Sequence, residues 1–480
     1  MTHQLIQLSR RAAFLLLPLT IAAAAAEDPF LEKPYLQLGN SPKLASAESL
    51  MLMWHTGGQP ASWRVEVRTS KDSKWRAASG EAPAALKVSV PGISPHLVYR
   101  APLSKLVPGE EFDYRVLRSG EPVFESKARA RKSATQAQHF VVFGDIAQGT
   151  PGQMAVANQV SLVKPDFVFV TGDIVYGSGR ISEYRDRFFP VYNAEQPDPT
   201  AGGPLLRSAP FIAAPGNHDT ALRNIERFPD ALAYFYYWDQ PLNGPSVKGE
   251  KTSHTLAGTE EAQAAFRQAA KQRYPVMANF SFDYGNAHWT VLDSNPYMDW
   301  NNAALRDWVV KDLESARNAQ WRFVAFHHPG FNSSKTHLTD QWMRLLAPVF
   351  EQSKVDIVFS GHVHNYQRSF PLTFVPEPQA GGNLMGPKGE VAGDWSLDRD
   401  FGDGANEVRP KGVIYIVTGG GGAGVYNPEQ QADPTTWQAF TNKYFGVQNS
   451  FTVVDIDGKT LRLKQISQDG KVVDAFEFVK

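Results

Sequence analysis

The fold of this chain is decided by residues 355–368, VDIVFSGHVHNYQR. A short apolar run, Val355 to Phe359, predicts a buried strand that ends at Ser360-Gly361, where glycine permits a sharp turn. His362 and His364 follow at once, so both imidazoles can reach one small volume. Such a pair is typical of a metal site because imidazole is a common ligand. Two surface histidines also arise at this spacing by chance, so the assignment depends on partners elsewhere.

Other predicted strands end in residues of the same kind. Four further apolar runs are each followed by aspartate, asparagine or histidine. They are Phe140 to Phe143 before Gly144-Asp145, Phe167 to Val170 before Gly172-Asp173-Ile174-Val175-Tyr176, Phe211 to Ala214 before Gly216-Asn217-His218-Asp219, and Phe323 to Phe326 before His327-His328-Pro329. The carboxyl ends of strands in an open α/β sheet converge on one crevice. One strand ending in Gly-Asp is common turn chemistry, but the recurrence predicts a shared site.

The side chains at these strand ends can hold two metal ions that share a bridging ligand. The chain contains no cysteine, so oxygen and imidazole are the strong ligands available. A pair of metal ions can clamp the attacking and leaving oxygens of an in-line displacement and lower the pKa of a bound water. Phosphoester hydrolysis needs both effects, because charge spreads over the phosphoryl oxygens in the transition state.

Length and composition set the outer bounds. At 480 residues, with 42% hydrophobic and 20% charged residues, the chain is globular and too long for one ordinary core. The formal net charge of −1 gives no reason to expect nucleic acid binding. Without cysteine, disulfide-linked oligomers are excluded.

Residues 1–26 predict a signal peptide. Arg10-Arg11 precede an apolar run, Ala12 to Ala25, and Ala24-Ala25-Ala26 offers a small-residue cleavage site. This run is shorter than the ~20 apolar residues that a membrane span needs. With Phe14-Leu15, the arginine pair also resembles a twin-arginine signal. We therefore expect export to the periplasm or secretion, with no membrane attachment after cleavage.

Residues 30–131 predict an all-β domain. Short alternating runs are separated by turn residues, as in an antiparallel β-sandwich. The predicted strands are Ser49 to His55, Trp63 to Arg68, Leu97 to Pro102 and Phe112 to Arg118. The turn at residues 106–109, which leads to Tyr114, resembles a fibronectin type III domain. The charged stretch Lys127 to Gln138 is the predicted linker.

Residues 138–480 predict a second domain of the α/β layered class. Buried strands alternate there with amphipathic helices, which are predicted at Asn301 to Ala319 and at His337 to Gln352. Three stretches without a regular pattern are predicted to be surface insertions around the site. They are Tyr192 to Ala209, Gln240 to Lys271 and Pro376 to Pro410.

The order of the motifs resembles a known family. GD, GDxxY, GNH, VxxH and GHxH, in that order, are similar to those of a metallophosphoesterase of the purple acid phosphatase type, in the calcineurin-like phosphoesterase superfamily. GHVHNYQRS, the β-sandwich in front and the strand-rich tail resemble the same family. The resemblance implies an αββα sandwich preceded by a fibronectin III-like sandwich. It also implies an acid phosphatase, a phosphomonoesterase in which a metal-bound hydroxide attacks phosphorus in a small phosphate ester.

The resemblance also implies a ligand set. The centre would combine ferric iron with a divalent ion (zinc, manganese or iron), bridged by Asp173. The remaining ligands would be Asp145, Tyr176 and His364 on the ferric ion, and Asn217, His327 and His362 on the divalent ion. A phenolate suits a trivalent cation, and its charge-transfer band would colour the protein.

Two further histidines are expected to act on the substrate. His218 follows a ligand and would stabilise phosphate or help to protonate the leaving group; the alternative is that it orients a ligand. His337 lies ten residues beyond His327, where the family carries a histidine that acts on substrate or leaving group. The family often has a second histidine before it, and here that residue is Thr336, which leaves proton donation open.

The other candidates have weaker cases. His328 is expected either to support a ligand or to lie in the loop without a role, His288 to lie in a buried strand and His254 in an exposed loop. Asp293 is expected to be structural. The run 419–422 follows a strand but lacks the lysine of a P-loop, so we expect a close approach of the backbone to the site.

Several alternatives stay open on the sequence alone. The same centre could serve a phosphodiesterase, a nucleotidase or a phytate hydrolase. A serine/threonine protein phosphatase is disfavoured, because Tyr176 stands where that family continues with Asp-Arg-Gly. A binding protein that acts through its front sandwich is also disfavoured, because loss of catalysis usually leaves at least one ligand replaced.

Overall fold

The computed structural model describes Met1 and residues 28–69, 71–401 and 410–480. The predicted signal peptide lies outside these residues, apart from Met1. In the described part of the chain, no helix is long and apolar enough to cross a membrane.

The N-terminal part is a sandwich of two β-layers. One layer is a four-stranded sheet, in the order Arg76–Ala77, Trp63–Thr69, Glu111–Arg118 and Glu121–Arg129. The facing layer has the order Glu32–Gln37, Glu48–Gly57, His96–Leu106 and Ala84–Val88. Aromatic side chains fill the space between them, with the Trp54 and Tyr99 rings stacked 5.2 Å apart. The predicted all-β sandwich is confirmed.

The facing layer of this sandwich continues into the α/β part. Gln37 pairs in parallel with Phe211, which joins the layer to the strands that follow and makes one ten-stranded sheet. The rest of that sheet has the order Phe211–Ala213, Phe167–Val170, Gln138–Phe143, Ser450–Asp457, Thr460–Ser467 and Val472–Val479. The sandwich is thus attached through shared backbone pairing as well as through the segment between Arg129 and Gln138.

A second sheet of seven strands packs face to face against this one. Its order is Phe280–Tyr284, Ala287–Val291, Trp321–Ala325, Ile357–Ser360, Ile414–Thr418, Tyr366–Ser369 and Thr441–Phe445. Two small hairpins lie outside the main sheets. They pair Asn193–Asp198 with Gly202–Pro204 and Leu372–Pro376 with Gly393–Leu397.

Alternation along the strands creates the layers. Phe140 and Val142 point into the core between the sheets, whereas Val141 and Phe143 point outward to a separate core under the helices. Successive strand residues face opposite sides, so a continuous apolar run serves two cores at once. A third core lies on the outer side of the seven-stranded sheet, where Leu305 is buried. The order helix, sheet, sheet, helix is the predicted αββα architecture.

The helices lie on the outer faces of these sheets and in the connections. The α-helices are Pro151–Val163, Ile181–Glu183, Phe189–Tyr192, Tyr234–Tyr237, Glu260–Ala270, Arg273–Val276, Ala303–Ser315 and Ala347–Gln352. A π-helical turn occupies Tyr184–Phe188, and 3₁₀ turns occupy Trp342–Leu346, Ala380–Gly382, Pro428–Ala432 and Pro434–Thr436.

Two predictions about helices were wrong. The helix predicted from His337 begins as a loop and becomes helical only at residue 342, because His337 adopts a left-handed backbone (φ 62°) that breaks helical geometry. Gln240 to Lys271, predicted to be irregular, contains the helix Glu260–Ala270, which Thr259 caps by accepting from Ala262 N–H. Its apolar face consists of Phe266 and alanines, so few large apolar residues mark the helix in the sequence.

Candidate metal centre

The candidate ligands lie at one edge of the molecule, where the two sheets meet. Each sheet contributes strands that run parallel to one another, so their carboxyl ends come together. The sequence predicted convergence within an open sheet, and the structure divides the strands between two sheets. The contributing strands are Gln138–Phe143, Phe167–Val170 and Phe211–Ala213 in one sheet, and Trp321–Ala325 and Ile357–Ser360 in the other.

The backbone at these strand ends is unusual. Asp145, Asp173 and His362 adopt left-handed conformations with φ of 61°, 49° and 67°. Such residues are uncommon outside glycine and tend to occur at functional sites. Two glycines allow the loops to approach closely, because a Cβ at Gly216 would lie 2.1 Å from Asp173 Oδ1 and one at Gly361 would lie 2.7 Å from Asp145 Oδ2. The left-handed residues and the closely packed glycines together direct the side chains of Asp145, Asp173 and His362 into one small volume.

One half of the site contains Asp145, Tyr176 and His364. The Tyr176 hydroxyl donates to Asp145 Oδ1 (3.0 Å) and lies 2.9 Å from His364 Nε2. His364 Nδ1 donates to the Gly424 carbonyl (2.8 Å), which turns Nε2 toward the site. Burial and the nearby Asp145 carboxylate raise the pKa of Tyr176 well above its usual value, so the phenol carries its proton in this arrangement.

The other half is built around Asp173, Asn217 and His327. His327 Nε2 lies 3.0 Å from Asn217 Oδ1 and 3.3 Å from Asp173 Oδ1, while its Nδ1 donates to the Thr171 carbonyl (2.9 Å). Burial alone would lower the pKa of His327, but the attraction of Asp173 outweighs it and raises the pKa to about 9. Burial alone would raise the pKa of Asp173, but His327, His218 and His362 hold it well below its usual value.

The two halves are contiguous. The ligand atoms of Asp145, Asp173 and His327 lie within 4.8 Å of one another, and so do those of His327, His328 and His362. Of the two alternatives for His328, the structure favours a place beside the candidate ligands: its Nδ1 lies 3.0 Å from Ser294 Oγ, and its ring centroid lies 4.3 Å from that of His362.

A carboxylate that the motifs did not reveal lies beside His362. Asp340 Oδ2 lies 2.9 Å from His337 Nδ1 and 3.1 Å from His362 Nε2. These two histidines lower the pKa of Asp340 well below its usual value, although partial burial opposes them. The only signal in the sequence is the spacing of His337 and Asp340 by three residues, which is too common to identify a site.

His218 stands at the open side of the centre. Its Nδ1 donates to the Gly177 carbonyl (2.8 Å), and its Nε2 lies 3.8 Å from Asp173 Oδ2. The side chain is 34% exposed, and its ring packs 4.5 Å from the Tyr176 ring. One nitrogen is therefore fixed by the backbone while the other faces the site.

The donor set fits a binuclear metal centre. Asp145 and Asp173 are 0% and 1% exposed, and neither forms an ion pair with lysine or arginine in the described part of the chain. Buried charges are normally either paired or coordinated to metals. Carboxylate, phenol, amide and imidazole groups suit hard and borderline cations.

The weaker candidates lie away from this centre or support it. His254 is buried (3% exposed), not exposed as predicted, because its loop packs against Tyr274 and Tyr297. His288 is buried in its strand between Asp283 and Asp312. A Cβ at Gly419 would lie 2.7 Å from Asp145 Oδ2, which is the close backbone approach expected for residues 419–422.

Comparison with known proteins agrees with this geometry. Residues 138–366 match the calcineurin-like phosphoesterase family, and residues 412–475 match the iron/zinc purple acid phosphatase-like protein C family. A yellow lupin purple acid phosphatase shares the fold, with a TM-score of 0.64 and 19% identity over 93% of this chain and 74% of the lupin chain.

Curated relatives carry contrasting names. A "probable inactive purple acid phosphatase 1" from Arabidopsis thaliana is 24% identical over 80% of this chain and 58% of its own length. A "nucleotide pyrophosphatase/phosphodiesterase" from Hordeum vulgare is 24% identical over 71% of this chain and 82% of its own length. The chain thus spans little more than half the length of the first of these relatives. The motifs, the fold and the family matches agree: residues 138–366 form a calcineurin-like phosphoesterase region, and residues 412–475 form a C-terminal region of the iron/zinc purple acid phosphatase-like type.

Proposed function

We propose that the chain is a phosphomonoesterase of the acid phosphatase type, which hydrolyses small phosphate esters at a binuclear metal centre. The observation that supports this most strongly is the convergence of every predicted ligand on one buried volume at the meeting edge of two sheets. Metal ions bound there would supply an activated water and would neutralise charge on the phosphoryl oxygens.

We divide the proposed ligands between the two ions as the family resemblance implies. Asp173 lies between the two halves and is the proposed bridge. The proposed ligands of a ferric ion are Asp145, Asp173, Tyr176 and His364, and those of a divalent ion (zinc, manganese or iron) are Asp173, Asn217, His327 and His362. The Tyr176 hydroxyl lies beside Asp145 and His364, and a bound trivalent ion would displace its proton and take the phenolate as a ligand. The purified protein should therefore show a visible absorption band that Tyr176→Phe abolishes.

The histidines of the chain supply the remaining roles. His218 is fixed through Nδ1, so its Nε2 can donate to a phosphoryl oxygen when the ring is protonated. His337 is held through Nδ1 by the Asp340 carboxylate, so its Nε2 is left free to donate to the leaving-group oxygen when the ring carries both protons.

A phosphodiesterase on the same centre is the second candidate, favoured by the name of the Hordeum vulgare relative. The name of the Arabidopsis thaliana relative favours an inactive protein instead. Against inactivity, all of the predicted ligand positions are filled in this chain and lie together.

A substrate panel tests the proposal. We expect the protein to hydrolyse 4-nitrophenyl phosphate with a higher kcat/KM than bis(4-nitrophenyl) phosphate. Asp173→Ala should lose both metal ions and at least about a thousandfold in kcat, because nearly all electrostatic stabilisation of the transition state goes with them. Asp457→Ala, at an exposed position, is the matched control. Turnover retained in Asp173→Ala, or a preference for the diester, would refute the proposal.

We also propose that the chain is exported to the periplasm or secreted. The basic and apolar pattern of residues 1–26 supports this. Cell fractionation of the full chain and of an Arg10→Lys, Arg11→Lys variant tests both export and the twin-arginine route. Accumulation of the mature protein in the cytoplasm of unmodified cells would refute it.

A further inference from the structure

A groove leads away from the candidate metal centre on the side of His337. It encloses about 520 Å³. Its inner end is lined by Asn217, His328, His337 and His362, which also belong to the centre or border it. If a phosphoryl group is held at the centre, its ester substituent can therefore extend into this groove.

The outer walls of the groove are mainly apolar. They are formed by Pro296, Met298, Trp300, Trp342, Leu345 and Met385. Met385 is 39% exposed, so its side chain remains available for contact. Trp342 is held in place, because its Nε1 donates to the Ser294 carbonyl (2.8 Å) and its ring packs 5.0 Å from that of His328.

One wall comes from an insertion that the sequence left without a role. The segment 385–389 lies against Trp342, and a Cβ at Gly389 would lie 2.7 Å from the Trp342 ring. Two hydrogen bonds anchor it to Gln341: the Gln341 N–H donates to the Gly389 carbonyl (3.1 Å), and the Val391 N–H donates to Gln341 Oε1 (3.1 Å). The insertion thus forms a fixed wall of the groove.

The charges of the groove disfavour a polyanionic substituent. Among its described lining residues, Lys388 is the one lysine or arginine, and Asp299 and Asp340 are carboxylates. A phytate molecule would bring several further phosphates next to these carboxylates, with one lysine to offset the repulsion. An apolar alcohol carries no such cost and would bury its surface against the tryptophan and methionine walls.

We infer that this groove binds the alcohol portion of the substrate and selects phosphate monoesters of apolar alcohols, alkyl or aryl, over phytate and other polyanionic esters. The inference rests on the proposed function, because it takes the ester to be cleaved at the adjacent centre. The volume accommodates a substituent considerably larger than a single aromatic ring, which falls in the usual range for ligand pockets.

An alkyl series tests the inference without changing leaving-group chemistry. We compare ethyl and hexyl phosphate by kcat/KM, and the non-hydrolysable ethylphosphonate and hexylphosphonate by calorimetric Kd, using the metal-loaded protein. The kcat/KM of hexyl phosphate should be at least about tenfold higher than that of ethyl phosphate, and the Kd of hexylphosphonate at least about tenfold lower than that of ethylphosphonate. Each methylene buried in the groove adds binding free energy. Hydrolysis of phytate should be slower than that of hexyl phosphate.

Substitutions inside and outside the groove test whether the hexyl preference arises there. Met385→Ser should reduce the hexyl-to-ethyl ratio by about threefold or more, because it removes apolar contact surface. Val375→Ser is the matched control: this exposed residue lies in the hairpin at the base of the same insertion but outside the groove, so the ratio should be unchanged.

The outcomes separate the two proposals. Equal values for ethyl and hexyl compounds would overturn the groove assignment while leaving the phosphatase intact, and so would an equal loss in Met385→Ser and Val375→Ser. A hexyl preference in Kd with no turnover of any ester would support the groove and refute the proposed function.

Discussion

At the scale of single residues, the contact with Asp340 fixes the ring of His337, the proposed proton donor to the leaving group. Its carboxylate contacts both His337 and His362, so it couples the proposed acid to the proposed metal ligand. Carboxylates that bind the free nitrogen of a ligating histidine fix the ring, and their loss typically costs about 10- to 100-fold. We therefore place Asp340 as a positioning residue rather than as a group that touches substrate.

A double-mutant cycle tests this role. Asp340→Ala should lower kcat by about 10- to 100-fold, and His337→Ala by about 100-fold or more. The double variant should be no slower than His337→Ala alone, because Asp340 acts through that ring. Asp340→Glu should recover part of the rate and of the alkaline limb of the pH–rate profile, where a general acid loses its proton, and metal analysis controls for an effect through His362. Additive losses in the double variant would contradict the assignment.

The candidate ligand residues could be picked out from the sequence because each follows a strand within a short motif. Asp340 was not, since its contacts with His337 and His362 depend on a loop whose path the sequence does not specify. Burial of His254 escaped prediction for a similar reason, because the side chains that cover it come from distant positions.

At the scale of elements, the strand Tyr366–Ser369 positions the histidine loop before it. The Arg368 guanidinium and the Tyr366 hydroxyl both donate to Asp474 Oδ2 at 2.7 Å, and Arg368 and Asp474 are almost fully buried. Tyr366 and Arg368 belong to the sequence motif that follows His364, and their partner comes from the last strand, Val472–Val479. The C-terminal strand is thereby attached to the site.

Loss of Asp474 should destabilise the protein strongly. Asp474→Ala removes a buried carboxylate that accepts from Arg368 and Tyr366, and breaking such a buried ion pair typically costs about 3–5 kcal/mol. We expect a clear fall in the midpoint of thermal unfolding, whereas Asp457→Ala, at an exposed position in the same sheet, should change stability by less than about 0.5 kcal/mol. Equal midpoints for the two variants would show that the ion pair contributes little.

Element prediction succeeded where a run is apolar on both faces. The strand Phe167–Val170 begins and ends where its sequence predicted, because four large side chains serve two cores. The prediction of a helix from His337 was wrong. Contacts of His337 with Asp340 and with the His362 ring favour a left-handed backbone there over helical propensity. Tertiary contacts outweigh local preference in such loops.

At the scale of the whole molecule, the sandwich and the α/β part share a sheet through the strand Glu32–Gln37. Sequence patterns could not reveal this pairing, because it joins residues far apart in the chain. The first residue of that strand, Glu32, is 8% exposed. Burial raises its pKa to about 8, although Arg185 opposes the change.

This shift predicts a pH dependence of stability. The folded state holds a proton on Glu32 up to about pH 8, whereas the unfolded state releases it near the ordinary value of 4.5. The contribution of Glu32 is therefore fully present below pH 4.5 and is lost as the pH rises through 8. Glu32→Gln should gain stability over the natural protein as the pH rises, by on the order of 1 kcal/mol per pH unit in this range.

Thermal unfolding between pH 5 and pH 8 measures this difference. Glu121→Gln, at an exposed glutamate in the same sandwich, is the control and should run parallel to the natural protein. Parallel curves for Glu32→Gln as well would contradict a proton held on Glu32 at the sheet junction.

The central claim is that two metal ions at the junction of the sheets are needed for phosphoester hydrolysis. The most direct measurement is a titration of metal-stripped protein with metal ions, followed by turnover of 4-nitrophenyl phosphate. We predict that stripped protein is inactive and that turnover rises to saturation at two ions per chain. Full turnover in stripped protein, or saturation at one ion per chain, would contradict the binuclear centre.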